Sequence, residues 1–400
     1  MTTVPSVTLG ELAEINPSLP LRPSAGALVS FVGMADVDAR TGRTGGGHSR
    51  SYDAVASGFS QFIRNDLLVA KITPCFENGK IAIATIDREI GAGSTEFHVV
   101  RPEQGVLNPS YLLHYMRLDR VRRQGEMRMT GSAGQRRVPT AFLAGLSVPL
   151  LPLHDQRRVA RVLETADALR DKRHRALESL EVLVDSLFVD MFVSNDDERW
   201  PEVLVGDLVN LTDGGIRTGP FGSQLLHSEF VDDGIAVLGI DNAVTNEFRW
   251  AQPRHITPAK YGSLKRYTVN PGDVLITMMG TCGRAAVVPD GVPTAINTKH
   301  LCCITLDQSR CLPTFLHAYF LRHPIARSYL RARAKGSVMS GLNMGIIKQL
   351  PVRLPPISLQ RRFARRIERI SNAKRTSMRH GHHLDELFAS LQHQAFTGAL

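Results

Sequence analysis

Between Asp155 and Phe192 the apolar residues return at alternating steps of three and four, through Val159, Val162, Ala166, Leu169, Ala176, Leu180, Leu183 and Leu187, with Arg173 standing once in the series. That spacing is a heptad seam and predicts a long helix. Neither Pro nor Gly falls in the stretch, so at 1.5 Å per residue the helix would run for roughly 55 Å. A second series follows the same rule through Phe363, Arg366, Ile370, Ala373, Ser377, His380, Leu384, Leu387 and Leu391. Its middle is polar and contains Gly381, which predicts weaker packing or a bend there. Upstream of each series, short β-rich runs alternate with Gly, Pro, Asp and Ser turns. Asp66 to Ala70 and Asp273 to Thr277 follow turn residues and read as buried strands, with Ile81 to Ile86 and Ala285 to Val288 next. Tyr111 to Arg117 and Phe315 to Leu321 read as helices that open after Pro109 and Pro313, with Ser110 or Thr314 near the start.

The correspondence between the halves is a repeat. Gln156-Arg157-Arg158-Val159-Ala160-Arg161 and Gln360-Arg361-Arg362-Phe363-Ala364-Arg365 differ at one residue and lie 204 positions apart in a chain of 400. The same offset pairs Leu180 with Leu384, Phe192 with Phe396, and Pro109-Ser110-Tyr111-Leu112 with Pro313-Thr314-Phe315-Leu316. Only the earliest stretch drifts, Leu9-Gly10-Glu11-Leu12 lying 196 residues before Val205-Gly206-Asp207-Leu208. A seam this narrow needs a second helix against it, and its own copy is the nearest one. The expected fold is therefore mixed α+β: two similar α/β domains joined by two long antiparallel spacer helices with a pseudo-twofold relation. The expected boundaries are residues 1–150 for the first domain, 151–195 for the first helix and linker, 196–352 for the second domain and 353–400 for the second helix. Asn195-Asp196-Asp197-Glu198 reads as the linker that ends the first half.

Composition narrows the class. Hydrophobic content of 43% with 22% charge is that of a soluble globular protein, and excludes a disordered or fibrous chain. A net charge of +10 implies attraction to a polyanion. No apolar stretch approaches the roughly 20 residues of a membrane span, and no cationic leader opens the chain, so a cytoplasmic protein with no membrane partner is expected. Cys75, Cys282, Cys302, Cys303 and Cys311 form no C-x-x-C pair and read as reduced core residues.

Each long helix opens from a Pro-rich turn, Leu151-Pro152-Leu153-His154-Asp155-Gln156 in one half and Leu354-Pro355-Pro356-Ile357-Ser358-Leu359-Gln360 in the other. With two domains each followed by such a turn and a long helix, the chain resembles the specificity subunit of type I restriction-modification systems along nearly its whole length. Gly219-Pro220-Phe221-Gly222-Ser223-Gln224-Leu225 is similar to a segment common in that family, and the first half has no counterpart of it. The resemblance implies a non-catalytic subunit that reads split double-stranded DNA with two target-recognition domains. It also implies docking of two methyltransferase subunits and of restriction (helicase-nuclease) subunits. Those partners would carry S-adenosylmethionine, ATP and Mg, and this chain would bind no cofactor. A specificity subunit of another methyltransferase-based phage-defence system is the related alternative.

The residues themselves argue against catalysis. An amino-methyltransferase needs an Asn/Asp-Pro-Pro-aromatic loop, and Asn16-Pro17-Ser18 and Asn108-Pro109-Ser110 lack its second half. Gly79-Lys80 has Pro74 where a phosphate-binding loop needs its first glycine. His380, His382, His383 and Asp385 have the spacing of a solvated face rather than of a metal site. A self-sufficient methyltransferase or nuclease, or a scaffold without a DNA role, remain the readings of another class. DNA reading asks for less: cations for phosphates, and Arg, Asn or Gln with fixed geometry for base edges. Such residues beside glycine-rich loops are Arg40, Arg43, Arg50, Gln135, Arg136 and Arg137 in the first half. In the second half they are Arg217, Ser223, Gln224, Lys265, Arg266, Lys299, His300, Lys335 and Asn343. The helix-start arginines Arg157, Arg158, Arg161, Arg361, Arg362 and Arg365 are assigned to partner or intramolecular contacts, with Glu164 and Glu368 as possible mates.

Overall fold

The computed structural model describes residues 4–132, 134–194, 200–211, 215–251, 253–334 and 341–400. The expected linker Asn195 to Glu198 and the expected contact Lys335 lie outside them. The chain divides into two compact units, residues 1–177 with 376–400, and residues 178–375. Each unit therefore holds one β-rich head, part of the first long helix (Leu153–Phe192) and part of the second (Ile357–Thr397).

In the first unit a six-stranded sheet runs in the order Ala13–Ile15, Phe97–Pro102, Leu67–Ala70, Ile81–Ile83, Arg43–Thr44, Val37–Asp38. Beside it in sequence is a four-stranded sheet in the order His48–Ser51, Leu28–Val32, Ile90–Gly93, Ser60–Ile63. All four residues of Leu67–Ala70 are buried, as an apolar run without alternation requires. Asp66 closes the turn before it, accepting from the Ile63 amide at 2.9 Å and pairing with Arg101 at 2.8 Å. The helix Pro109–Met116 begins at its proline, and the N-cap is Asn108, which accepts from the Tyr111 amide at 3.0 Å, rather than Ser110.

The second unit repeats the plan with two four-stranded sheets. One runs Ile216–Thr218, Leu301–Ile304, Val274–Thr277, Ala285–Val287; the other runs His255–Ile256, Ile235–Leu238, Ala295–Asn297, Thr268–Val269. Its helix Pro313–Arg322 again starts at the proline. The drifted stretch keeps its place in both heads. Leu9–Leu12 and Val205–Leu208 are each one short helical turn after a strand, Ser6–Thr8 or Glu202–Leu204, that pairs with the strand leading to the long helix.

Within each unit the two helical segments run antiparallel. In the first, Arg170 reaches Asp385 at 2.7 Å and Arg173 reaches Ser377 at 3.4 Å. In the second, Glu181 pairs with Lys374 at 3.1 Å while Phe192 packs on Phe363 with ring centroids 5.1 Å apart. The expected seam is half right. Val159, Ala166, Arg173, Leu180 and Leu187 turn inward, as do Phe363, Ile370, Ser377, Leu384 and Leu391. Between them, however, the inward residues are Leu163, Arg170, Leu177 and Val184, one position later than expected, and Val162, Leu169 and Leu183 are exposed. The stripe shifts because each segment packs on its head as well as on the other helix: Leu163 lies in one core with Tyr111, Leu112, Phe388 and Phe396. Gly381 also corrects the expectation. It sits inside an unbroken helix on the inward face, where a Cβ would run into the Arg173 guanidinium, so its missing side chain makes room for that arginine.

Candidate nucleic-acid interface

The start of each long helix is fastened to its head by one buried glutamine. The Gln156 carbonyl accepts from the Asn108 amide at 2.8 Å, and its amide nitrogen donates to the carbonyls of Val106 and Leu151, each at 2.9 Å. Gln360 does the same in the second unit, accepting from Leu312 at 2.8 Å and donating to Arg310 at 3.0 Å and Pro355 at 2.9 Å. Both are fully buried, and all of these partners keep the 204-residue offset. The Pro-x-x-x-Gln turn thus sets the direction of the helix and locks the head to it.

Around that frame the second head brings several expected DNA contacts together. Gln224, on the turn Gly222–Gln224, accepts from the Tyr267 hydroxyl at 3.0 Å, and that hydroxyl accepts from Arg266 at 2.7 Å. Ser223 and Lys265 flank them and are exposed. Lys299 and His300 line a cleft together with Pro220, Gly222 and Arg254. Burial, with Lys299 and Arg254 nearby, pushes the His300 imidazole below its ordinary pKa, so the cleft carries its positive charge on the arginine and lysine.

Two expected contacts in this head serve the fold instead. Arg217 is only 8% exposed; its guanidinium donates to Asp273 at 2.7 Å, to Thr305 at 2.8 Å and to the Thr268 carbonyl at 3.1 Å. It is a core cation that neutralises a buried carboxylate, not a base reader. Asn343 caps the helix Met344–Lys348, accepting from the Ile346 amide at 2.9 Å. Lys335 is outside the described residues. Arg254 and Asp241, which form an ion pair in the cleft, were not singled out from the sequence. Their partnership crosses two turns, and no linear spacing announces it.

The first head scatters its expected contacts. Arg50 lies exposed over the Phe31 ring at 3.6 Å, and Gln135 and Arg136 are exposed on their loop. Arg137 is locked to Glu96 at 2.8 Å, which holds the Glu96 carboxyl below its ordinary range. Arg40 turns to the long helix and pairs with Asp171 at 3.0 Å; Arg43 lines a cleft beside Asp167 and Asp171. Arg157, Arg158, Arg161, Arg361, Arg362 and Arg365 are all exposed. Arg158 donates to the Leu400 carbonyl at 2.8 Å, and among the described residues no ion pair joins this set to Glu164 or Glu368.

Among the described residues no cluster of metal-ligating side chains forms, and no helix is long and apolar enough to cross a membrane. Cys302, Cys303 and Cys311 are buried, and burial pushes their thiols up, that of Cys311 to about 12.

Residues 232–381 match the family model of the type I restriction modification DNA specificity domain. Over 200 residues the chain is 33% identical to the specificity subunit of the type I restriction enzyme EcoAI from Escherichia coli, which covers 49% of this chain and 34% of that subunit. The matched part thus spans about a third of the length of that curated relative. In fold, the chain is similar to the S subunit of a type I restriction-modification system from M. genitalium, at TM-score 0.60 and 12% identity over 98% of this chain and 96% of that one. It is also similar to a chain from a structure on complex assembly and conformational transition of the type I R-M system, at TM-score 0.59 and 18% identity over 100% and 99% of the two chains. Residues 232–381 are therefore similar to the type I DNA specificity domain, and the chain as a whole shares the fold of those two solved chains.

Proposed function

We propose that this chain is the DNA-reading subunit of a type I restriction-modification complex. Each head reads one part of a split duplex target, and the length of the paired helices sets the number of base pairs between the parts. The observation that carries this is the match of residues 232–381 to a DNA specificity domain, in a head whose cleft gathers Arg254, Lys299 and His300 in a chain of net charge +10. Exposed Arg50, Gln135, Arg136, Ser223, Gln224, Lys265, Arg266 and Lys299, with half-buried His300, form the contact set; Arg217 is left out because its guanidinium is committed inside the fold, and Asn343 because its side-chain oxygen caps a helix.

The chain carries out no chemistry itself. Two methyltransferase subunits and the restriction subunits dock on the exposed helix-start arginines and bring S-adenosylmethionine, ATP and Mg in a cytoplasmic complex. The test is a selection of bound sequences from a pool of random duplexes. A motif in two halves is expected, with affinity falling steeply as salt rises. Seven residues inserted between Leu163 and Val184 lengthen the gap between the halves. A gap unchanged by that insertion, or turnover of DNA by the purified chain alone, overturns the reading.

A further inference from the structure

The second head contains a cleft of about 810 Å3, lined by Pro220, Gly222, Asp241, Arg254, Lys299 and His300, with Asp232 and Thr298 beside them. Two glycines let its walls close. Any side chain at Gly219 would strike the Asn297 carbonyl, and one at Gly239 would strike the Arg254 guanidinium. The backbone closes on itself at Gly219, and Gly239 leaves room for the Arg254 and Asp241 side chains.

Its polar groups are incompletely used. Asp241 holds one terminal nitrogen of Arg254, while Arg254 Nε and the Thr298 hydroxyl are buried with no hydrogen-bond partner among the described residues. A phosphate can be held by a point charge on a flexible stem, as lysine holds it. Reading a guanine asks for a planar fork at a set angle, and a carboxylate behind the guanidinium supplies that angle. Asp232 and Asp241 argue in the same direction. Two carboxylates in the lining repel a compact polyanion, whereas a base edge offers donors and acceptors together.

Resting on the DNA-reading function above, we propose that this cleft is the base-reading pocket of the second head. Arg254, aimed by Asp241, reads the O6 and N7 edge of a guanine, and exposed Lys299 neutralises a neighbouring phosphate. Arg254 is then a specificity-determining residue and Asp241 its positioning residue.

The experiment is the same random-duplex selection, run on the full chain with whatever subunits purify with it, for the parent and for Arg254→Lys, Arg254→Ala, Asp241→Asn and Lys299→Ala. Arg254→Lys keeps the charge and loses the fork. It is expected to relax preference at one G·C pair in one half of the motif by roughly tenfold or more while the other half stays intact. Asp241→Asn weakens the same position less. Lys299→Ala lowers affinity for all sequences alike and flattens the salt dependence by about one phosphate. A motif unchanged in both Arg254 variants, or degraded in both halves, overturns the pocket while leaving the DNA-reading function standing. A parent chain that enriches no motif overturns that function, and the pocket with it.

Discussion

The two units fix a head to a helix twice, and the two solutions agree in one part and invert in another. Gln156 and Gln360 make the same three hydrogen bonds to the same three backbone positions. On the helix that each glutamine opens, the ion pairs to the head reverse sign. In the first unit the helix carries the acids: Asp167 and Asp171 receive Arg117 at 2.8 Å and Arg40 at 3.0 Å from the head. In the second the corresponding helix carries Lys374, which reaches Glu247 of the head at 2.7 Å, while Arg322 of the head keeps the first unit's sign in its pair with Asp185 of the other helix at 2.7 Å. A hydrogen bond to fixed backbone groups admits one side-chain shape, while an ion pair asks only for opposite charge, so the first is kept and the second is free to invert. The pairs also differ in depth. Arg117 and Asp167 are 14% and 11% exposed and Arg117 also donates to the Ala39 and Arg40 carbonyls, whereas Glu247 is 52% exposed.

The glutamines give the sharpest test. Gln156→Leu and Gln360→Leu each strand one amide and two carbonyls in a dry site and should each cost about 4 kcal/mol. Amide exchange in the two units should report losses of similar size. Unequal losses would break the likeness at its strongest point. The ion pairs should behave oppositely. Arg117→Met leaves Asp167 with Arg170 as its remaining cation, strips two backbone carbonyls of their donor and should cost about 2 kcal/mol, while Lys374→Met should cost about 1 kcal/mol or less. Denaturant unfolding followed by exchange measures both.

The inward stripe provides a third comparison, within one helix. Leu163→Ala opens a buried site and should cost about 3 kcal/mol. Leu169→Ala, at a position 52% exposed, should stay within about 0.5 kcal/mol. Equal costs would restore the simple heptad.

A pH dependence separates the two units by the histidine that carries it rather than by its presence. His114 is buried against Phe388, and burial pushes its imidazole down to about 4 from 6.5, with Asp167 and Arg117 as its charged neighbours. Its repeat counterpart is Ala318. The unfolded chain takes up the proton first as pH falls. Stability is therefore full above about 6.5 and declines toward 4, by about 2 kcal/mol at pH 5. A His114→Leu variant should lose that part of the slope in the first unit, where His98 is also pushed down by burial, and keep the slope of the second unit, where burial pushes down His317.

The comparison also explains what could be read from the chain. Leu67–Ala70, Val274–Thr277 and both long helices were legible because their periodicity is local and written twice. The seam's second row was not, because a heptad describes one helix facing another, and Leu163 faces a head as well. Arg217 looked like a reader beside its glycines. Its partner Asp273 lies 56 residues on, joined to it only by strand pairing through Cys303. Arg254 and Asp241 were invisible for the same reason: burial and cross-turn pairing are properties of the folded chain, not of spacing.

One contact bears on how such a chain could have come about. Arg173 faces Ser377, which occupies its own position in the other copy, and its guanidinium lies against Gly381. In an ancestor made of two identical halves, arginine would have met arginine there, cation against cation. Fusing the halves into one gene let the two sides diverge, so that one keeps the bulk and charge and the other supplies a hydroxyl and an empty notch, a lopsided fit that no homodimer can encode.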